Sequence, residues 1–392
     1  MKKLIFIIVL CIPFLSSCWD RVEMQDLSII TAVAIDQVEE GKVKISAQIF
    51  IPRAITSGAA GEDPSTAPTF VREGVGDSLA SAITMLQLNI PRDLFWGHCK
   101  IFIFGRSLAE QGIREEMDYL VRHPGPRGGS YVYVSEGEGA EILGLIPPLE
   151  RYSGEALKKI TQDALGMITT VRDVDMDLVD EGQSTALPLI KVLKSEEKAR
   201  EPHETIPVID GAAVFKKDKM VGTLDFLETN GLIWLKRSVK NSTLSIKPEG
   251  EKGGEITMTP TIGKVKFNPR IENNQWFMNL KLRVEGDIVQ NETHLNLLNE
   301  AGIMKLEKEF EAVLKKQIAD TIEKLQKQAK ADVIGFGQRF HRKYPQEWKG
   351  ARDHWEDKFG EVKFHIDVDA NIRRPGYIGP PAALPFDEVK EE

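Results

Sequence analysis

From Lys42 to Ile51 the chain alternates. Val43, Ile45, Ala47, Ile49 and Ile51 interleave with Lys42, Lys44, Ser46, Gln48 and Phe50, the period of a strand with one buried face. Leu27 to Ile35 is strand-like as well, and Glu39-Glu40-Gly41 supplies a turn, so the two segments predict a hairpin. Residues 53–69, rich in Gly, Ala, Ser, Thr and Pro, read as a loop. Leu79, Ile83, Leu86 and Ile90 then share a helical face, predicting a helix from Asp77. Lys100 to Phe104 reads as a buried strand. Ser107 followed by Glu110 is spaced as a capping box for a helix carrying Leu108, Ile113, Met117 and Leu120. Tyr131 to Val134 gives another strand, followed by a short helix around Ala140 to Leu145 that closes at Pro147-Pro148.

Residues 152–180 read as helical and polar, and Ala186 to Val192 as a strand. The charged, proline-punctuated stretch 195–207 marks the clearest boundary. Beyond it, Pro207 to Phe215 and Met220 to Leu224 predict a second hairpin turning near Lys217-Asp218, and strands continue to about Val289. Ile303, Leu306, Phe310, Leu314, Ile318, Ile322, Leu325, Ala329 and Val333 form one apolar stripe, so a long amphipathic helix should lie on a sheet. A last strand, Val362 to Ile372, precedes a Pro/Gly-rich acidic tail with a disordered composition. Strands and helices mix without regular βαβ alternation, which places the chain in the α+β class. The expected units are residues 18–200, with a secondary option of division near 146, then 206–375 and a tail at 376–392.

The first eighteen residues change this picture of a soluble body. Lys2 and Lys3 precede an apolar run from Leu4 to Leu15, then Ser16, Ser17 and Cys18. This is the layout of an export signal, short for a membrane span. Leu15-Ser16-Ser17-Cys18 resembles a bacterial lipobox. In that chemistry the Cys18 thiol accepts diacylglycerol as a thioether, and small neighbours admit the peptidase that cuts after Ser17. Two or more acyl chains hold a protein durably on a membrane where one does not. Loss of Lys2 and Lys3 turns the −8 of the whole chain into −10 for residues 18–392. That charge argues against a nucleic-acid partner, and the linear sequence shows no basic patch for lipid headgroups. Of three cysteines, Cys11 leaves with the signal and Cys18 carries the anchor. Cys99 alone remains, too little for a disulfide framework.

Each motif with catalytic or ligand-binding potential has a plainer structural reading. Gly74-Val75-Gly76-Asp77-Ser78-Leu79 invites a phosphate loop but lacks the third glycine of a dinucleotide fingerprint and the lysine of a Walker loop. A glycine turn with Asp77 as helix cap is the better reading. Gly137-Glu138-Gly139 fails the same test, and Glu138 would repel a phosphate. His98 and Cys99, adjacent on an expected strand, would face opposite ways and could not form a thiol–imidazole pair. No two histidines stand at i, i+4, so no metal site or other cofactor is expected. Phe336, Phe340, Tyr344, Trp348, Trp355 and Phe359, interleaved with Arg339, Arg342 and Lys343, read as core with snorkelling cations. No constellation supports an enzyme.

Several segments together resemble the Ger(x)C family, the lipoprotein C subunits of spore nutrient-germinant receptors. They are Cys18 to Glu23 with Leu27 to Asp36 (LSIITAVAID), residues 95–113 (FWGHCKIFIFGRSLAEQGI), 210–225 (DGAAVFKKDKMVGTLD), and 332–348 (DVIGFGQRFHRKYPQEW) with Trp355 and the strand to Arg374. The loop His123-Pro124-Gly125-Pro126-Arg127-Gly128-Gly129 departs from the acidic turn expected there. The resemblance implies a non-enzymatic subunit on the outer face of the spore inner membrane. It would work beside a receptor A subunit and a permease-like B subunit, in a complex answering amino acids or sugars. The alternative is a solute-binding lipoprotein that captures a small nutrient for a membrane partner.

Overall fold

In a computed structural model, the described residues are 23–374 apart from 40, 52–67, 164–165, 181, 183, 194–204, 237–242, 250–252, 296 and 298–299. The expected hairpin forms from β1 (Leu27–Glu39) and β2 (Lys42–Phe50), antiparallel and joined through Gly41 at a φ of +77°. β3 (Thr69–Gly76) adds antiparallel to β2, and α1 (Leu79–Leu88) folds back over it. Ser78, not Asp77, caps α1, exchanging hydrogen bonds with Ser81. The short β4 (Asp93–Phe95) runs parallel to the start of β1.

β5 (Ile101–Gly105), β6 (Tyr131–Ser135) and β7 (Ala186–Val192) then run parallel to β1 in succession. Between β5 and β6 lie α2 (Arg106–Gln111) and α3 (Arg114–Arg122), which part at Gly112 with a φ of +134°. The expected Ser107–Glu110 box does not form. α2 begins two residues earlier, with Gly105 as an N-cap without a side-chain bond, and Glu110 pairs with Arg106 at 2.8 Å. The polar helical stretch is two helices, α5 (Ser153–Gln162) and α6 (Val171–Val179), preceded by α4 (Gly139–Leu143). The second hairpin, β8 (Pro207–Lys216) and β9 (Lys219–Leu224), pairs antiparallel with β7. The polar stretch at 195–207 therefore separates strands that lie side by side. β6 and β7 likewise pair across residue 146.

The resulting mixed sheet has the order β3-β2-β1-β5-β6-β7-β8-β9, with β4 off its path. Each face carries its own core. Val33, Ile35, Phe102 and Phe104 pack with Leu86, Leu108 and Met117 on one side. Ala32, Ala34, Ile101, Ile103 and Tyr133 pack with Ile142, Leu143 and Leu157 on the other.

After α7 (Phe226–Lys236) comes a four-stranded sheet of β10 (Leu244–Ile246), β11 (Ile256–Glu272), β12 (Gln275–Asn291) and β13 (Lys363–Arg374). Asn273 and Asn274 at φ +49° and +63° make the tight β11–β12 turn, the left-handed pair that such two-residue hairpins require. The long helix is α8 (Glu300–Lys324), and Leu306, Phe310, Leu314, Ile318 and Ile322 bury its stripe against the sheet. It ends in a π turn, Leu325–Ala329, before Lys330 turns left-handed. Val333 is buried yet lies past the helix. α9 (Phe336–Lys343), α10 (Pro345–Ala351) and α11 (Trp355–Glu361) complete this end. Ala186, Ala212 and Val214 of the first sheet, with Met167 from the α5–α6 connection, share one core with the second.

Candidate functional site

The lipidation residue Cys18 and the cleavage position Ser17 lie outside the described residues. His98 ends a 3-10 turn (Trp96–His98), with its ring 5.7 Å from that of Phe95. Cys99 is fully buried, its thiol against the Ile101 carbonyl, and burial pushes it up to about 12. A thiol held there stays protonated at neutral pH and makes a poor nucleophile. The pair sits on a turn rather than a strand.

Both glycine motifs are filled by the protein itself. A Cβ on Gly74 would lie 2.2 Å from the Ala82 carbonyl oxygen and 2.4 Å from the Leu86 nitrogen. The glycines of residues 74–76 thus let α1 sit directly on β3. At Gly137-Glu138-Gly139, the Gly139 and Ala140 amides donate to the two Asp36 carboxylate oxygens at 2.6 and 3.0 Å, while Glu138 pairs with Lys44. The anion at this helix start is Asp36, whose carboxyl is raised by burial against those two donors.

The C-terminal aromatic series is core, as expected: Phe336, Phe340, Trp348, Trp355 and Phe359 are all buried. Arg339 lies 3.6 Å over the Phe267 ring, a cation held on an aromatic face. At the centre is a residue the linear sequence does not single out. Asp332 is buried and accepts from the amides of Gly335, Phe336 and Gly337 and from the Trp355 indole, at 2.7 to 3.0 Å. Gly335, at φ +80°, bends the chain around that carboxylate. The Ser184 amide donates to the Asp332 carbonyl, and Gly182 packs where a Cβ would fall 2.4 Å from Trp348. Asp332 therefore holds together the loop on which the two sheets meet.

Two surface features complete the picture. On the outer face of the second sheet, Lys264 stands opposite Arg283, and Lys266 opposite Lys281. Like charges directly opposed are destabilising in a sheet. Lys281 has Asp367 at 3.6 Å and Arg283 has Glu285 at 2.9 Å, whereas no carboxylate among the described residues pairs with Lys264 or Lys266. This cluster of cations has Asp367 and Asp369 directly across from Lys281 and Arg283 on β13. It arises only when the hairpin register sets residues 264–266 beside 281–283. The second feature is a cavity of about 810 Å³ between the β1–β2 hairpin, the start of α1 and the outer side of α3. Among the described residues no group of His, Cys, Asp and Glu is arranged to hold a metal, and no helix is long and apolar enough to cross a membrane.

The comparisons with known proteins agree along the whole length. Residues 20–192 match the family described as spore germination protein N-terminal domain, and residues 210–376 that described as spore germination B3/GerAC like, C-terminal. "Spore germination protein KC" of Bacillus subtilis (strain 168) is 24% identical, over 97% of this chain and 98% of its own. "Spore germination protein B3" of the same organism is 24% identical, over 93% and 96%. The crystal structure of the GerBC protein superposes with a TM-score of 0.53 at 20% identity, covering 87% of this chain and 96% of that one. The α+β fold is thus that of an established architecture. The chain belongs to the Ger(x)C family.

Proposed function

We propose that this protein is the C subunit of a nutrient germinant receptor, required for spores to germinate in response to small nutrients. It is held by diacylglycerol on Cys18 to the outer face of the spore inner membrane, beside the receptor's A and B membrane subunits, and it acts by protein–protein contact. The observation that carries this reading is the match of both family segments, in order, over residues 20–192 and 210–376. Full-length relatives named for spore germination support it.

The anchoring part rests on Leu15-Ser16-Ser17-Cys18 and on cleavage after Ser17. It is compatible with the lack of a long apolar helix among the described residues. The contact-based mode of action fits the buried, proton-holding Cys99 and glycine motifs that serve packing. The test is the Cys18→Ala variant expressed in sporulating cells, followed by membrane fractionation and a nutrient-germination assay. The protein should leave the membrane fraction, and germination should be impaired. A Cys18→Ala protein that stays on the membrane would refute lipid anchoring. Unimpaired germination in cells lacking the gene would refute the receptor role.

A further inference from the structure

The proposed lipidation at Cys18 ties one end of the folded body to the bilayer. Cys18 stands five positions before Glu23 and nine before Leu27, where β1 begins. An extended chain covers at most about 3.6 Å per residue, so Glu23 lies within about 18 Å of the lipidated residue. β1 then runs for 13 residues, about 40 Å at the rise of a strand. The start of β1 is therefore held near the lipid, and its far end can stand a strand's length away.

Exposed apolar side chains gather at the tethered end. β4 pairs in parallel with the start of β1, Leu27 opposite Asp93 and Ile29 opposite Phe95. In the last turn of α1, Gln87 accepts from the Leu94 amide at 3.2 Å and donates to the Arg92 carbonyl at 2.9 Å. That pair of bonds fastens the end of α1 beside β4. Leu88 is 75% exposed, Met85 47% and Phe95 36%. Met85 and Leu88, three apart, share one face of α1. Large apolar side chains scattered singly over a surface are ordinary, whereas a group of them marks a contact. The anchor brings a lipid surface to this group whatever else is nearby.

We propose that this end of the first sheet is a membrane-docking surface, with Met85, Leu88 and Phe95 entering the lipid interface beside the acylated Cys18. It rests on the lipidation proposed for Cys18 and adds an orientation to it: the β1–β2 turn points away from the bilayer.

The test uses the lipidated chain, purified from membranes and reconstituted in vesicles of phosphatidylglycerol and phosphatidylethanolamine. A thiol-reactive fluorophore is placed at Leu88→Cys, at Phe95→Cys or, as the control near the far end of β1, at Val38→Cys. All three positions are exposed, so these substitutions should leave the fold intact. Cys99 is fully buried and Cys18 acylated, so the wild type should take no label. Nitroxides about 5–10 Å deep in the bilayer should quench the Leu88 and Phe95 labels about twofold or more beyond the Val38 label. Quenching no greater at 88 and 95 than at 38, whether those labels face water or are shielded by a second copy of the chain, would overturn the docking surface while leaving the anchor standing. A wild-type protein that takes the label and fails to float with vesicles would refute the lipidation, and the docking with it.

Discussion

Single side chains here are set mostly by burial. Cys99 shows how that becomes measurable. Its ordinary value is 9.0 and its folded value about 12, so between these the folded protein keeps a proton that the unfolded chain has lost. Stability from this group is therefore full below pH 9 and declines as pH rises toward 12, by about 1.4 kcal/mol per pH unit. Urea unfolding at pH 8 and pH 10.5 should show a steeper alkaline loss in the wild type than in Cys99→Ala, a comparison that cancels the lysines and tyrosines common to both. Parallel losses would mean the thiol is not buried as described. The burial of Phe336, Phe340, Trp348, Trp355 and Phe359 was legible in the sequence. The role of Asp332 was not, because an acid amid aromatic residues gives no hint that three backbone amides and an indole will converge on it.

Among elements, periodicity located what local pattern controls. The hairpins at 27–50 and 207–224 and the stripe of α8 fall where alternation and helical spacing put them. What it missed depends on distant neighbours. The helix expected through Leu108 and Leu120 breaks at Gly112 because the β8–β9 turn docks there: the Asp218 carbonyl accepts from the Ile113 amide at 3.0 Å, and its side chain binds Arg114. The basic block of Lys264, Lys266, Lys281 and Arg283 likewise exists only through strand register. Gly74 gives the element-scale test. A methyl there meets backbone atoms of α1 rather than a yielding side chain, so Gly74→Ala must push the helix off β3. We expect a loss of about 1–3 kcal/mol in urea unfolding, against near neutrality for Gly222→Ala, whose added methyl meets nothing within 4 Å. Equal effects would show that α1 does not need the close approach.

Across the whole molecule, the polar stretch near residue 200 is a boundary in composition but not in packing. β7 and β8 pair across it, and a single core joins Ala186, Ala212 and Val214 to Trp234, Phe310 and Phe336. Asp177 of α6 reaches Lys236 of α7 at 3.6 Å, and Lys216 of β8 reaches Glu356 of α11 at 2.6 Å. Composition could not reveal this, because the joining residues are ordinary core types whose partners are set by the fold rather than by local pattern. The outcome is a mixed-sheet body in which the family's two segments share one core. The receptor role is tested most directly by affinity purification of the tagged chain from detergent-solubilised spore membranes, followed by mass spectrometry. The account predicts co-purification of an A-type and a B-type receptor membrane subunit, retained through washing; recovery of the chain without either would contradict it.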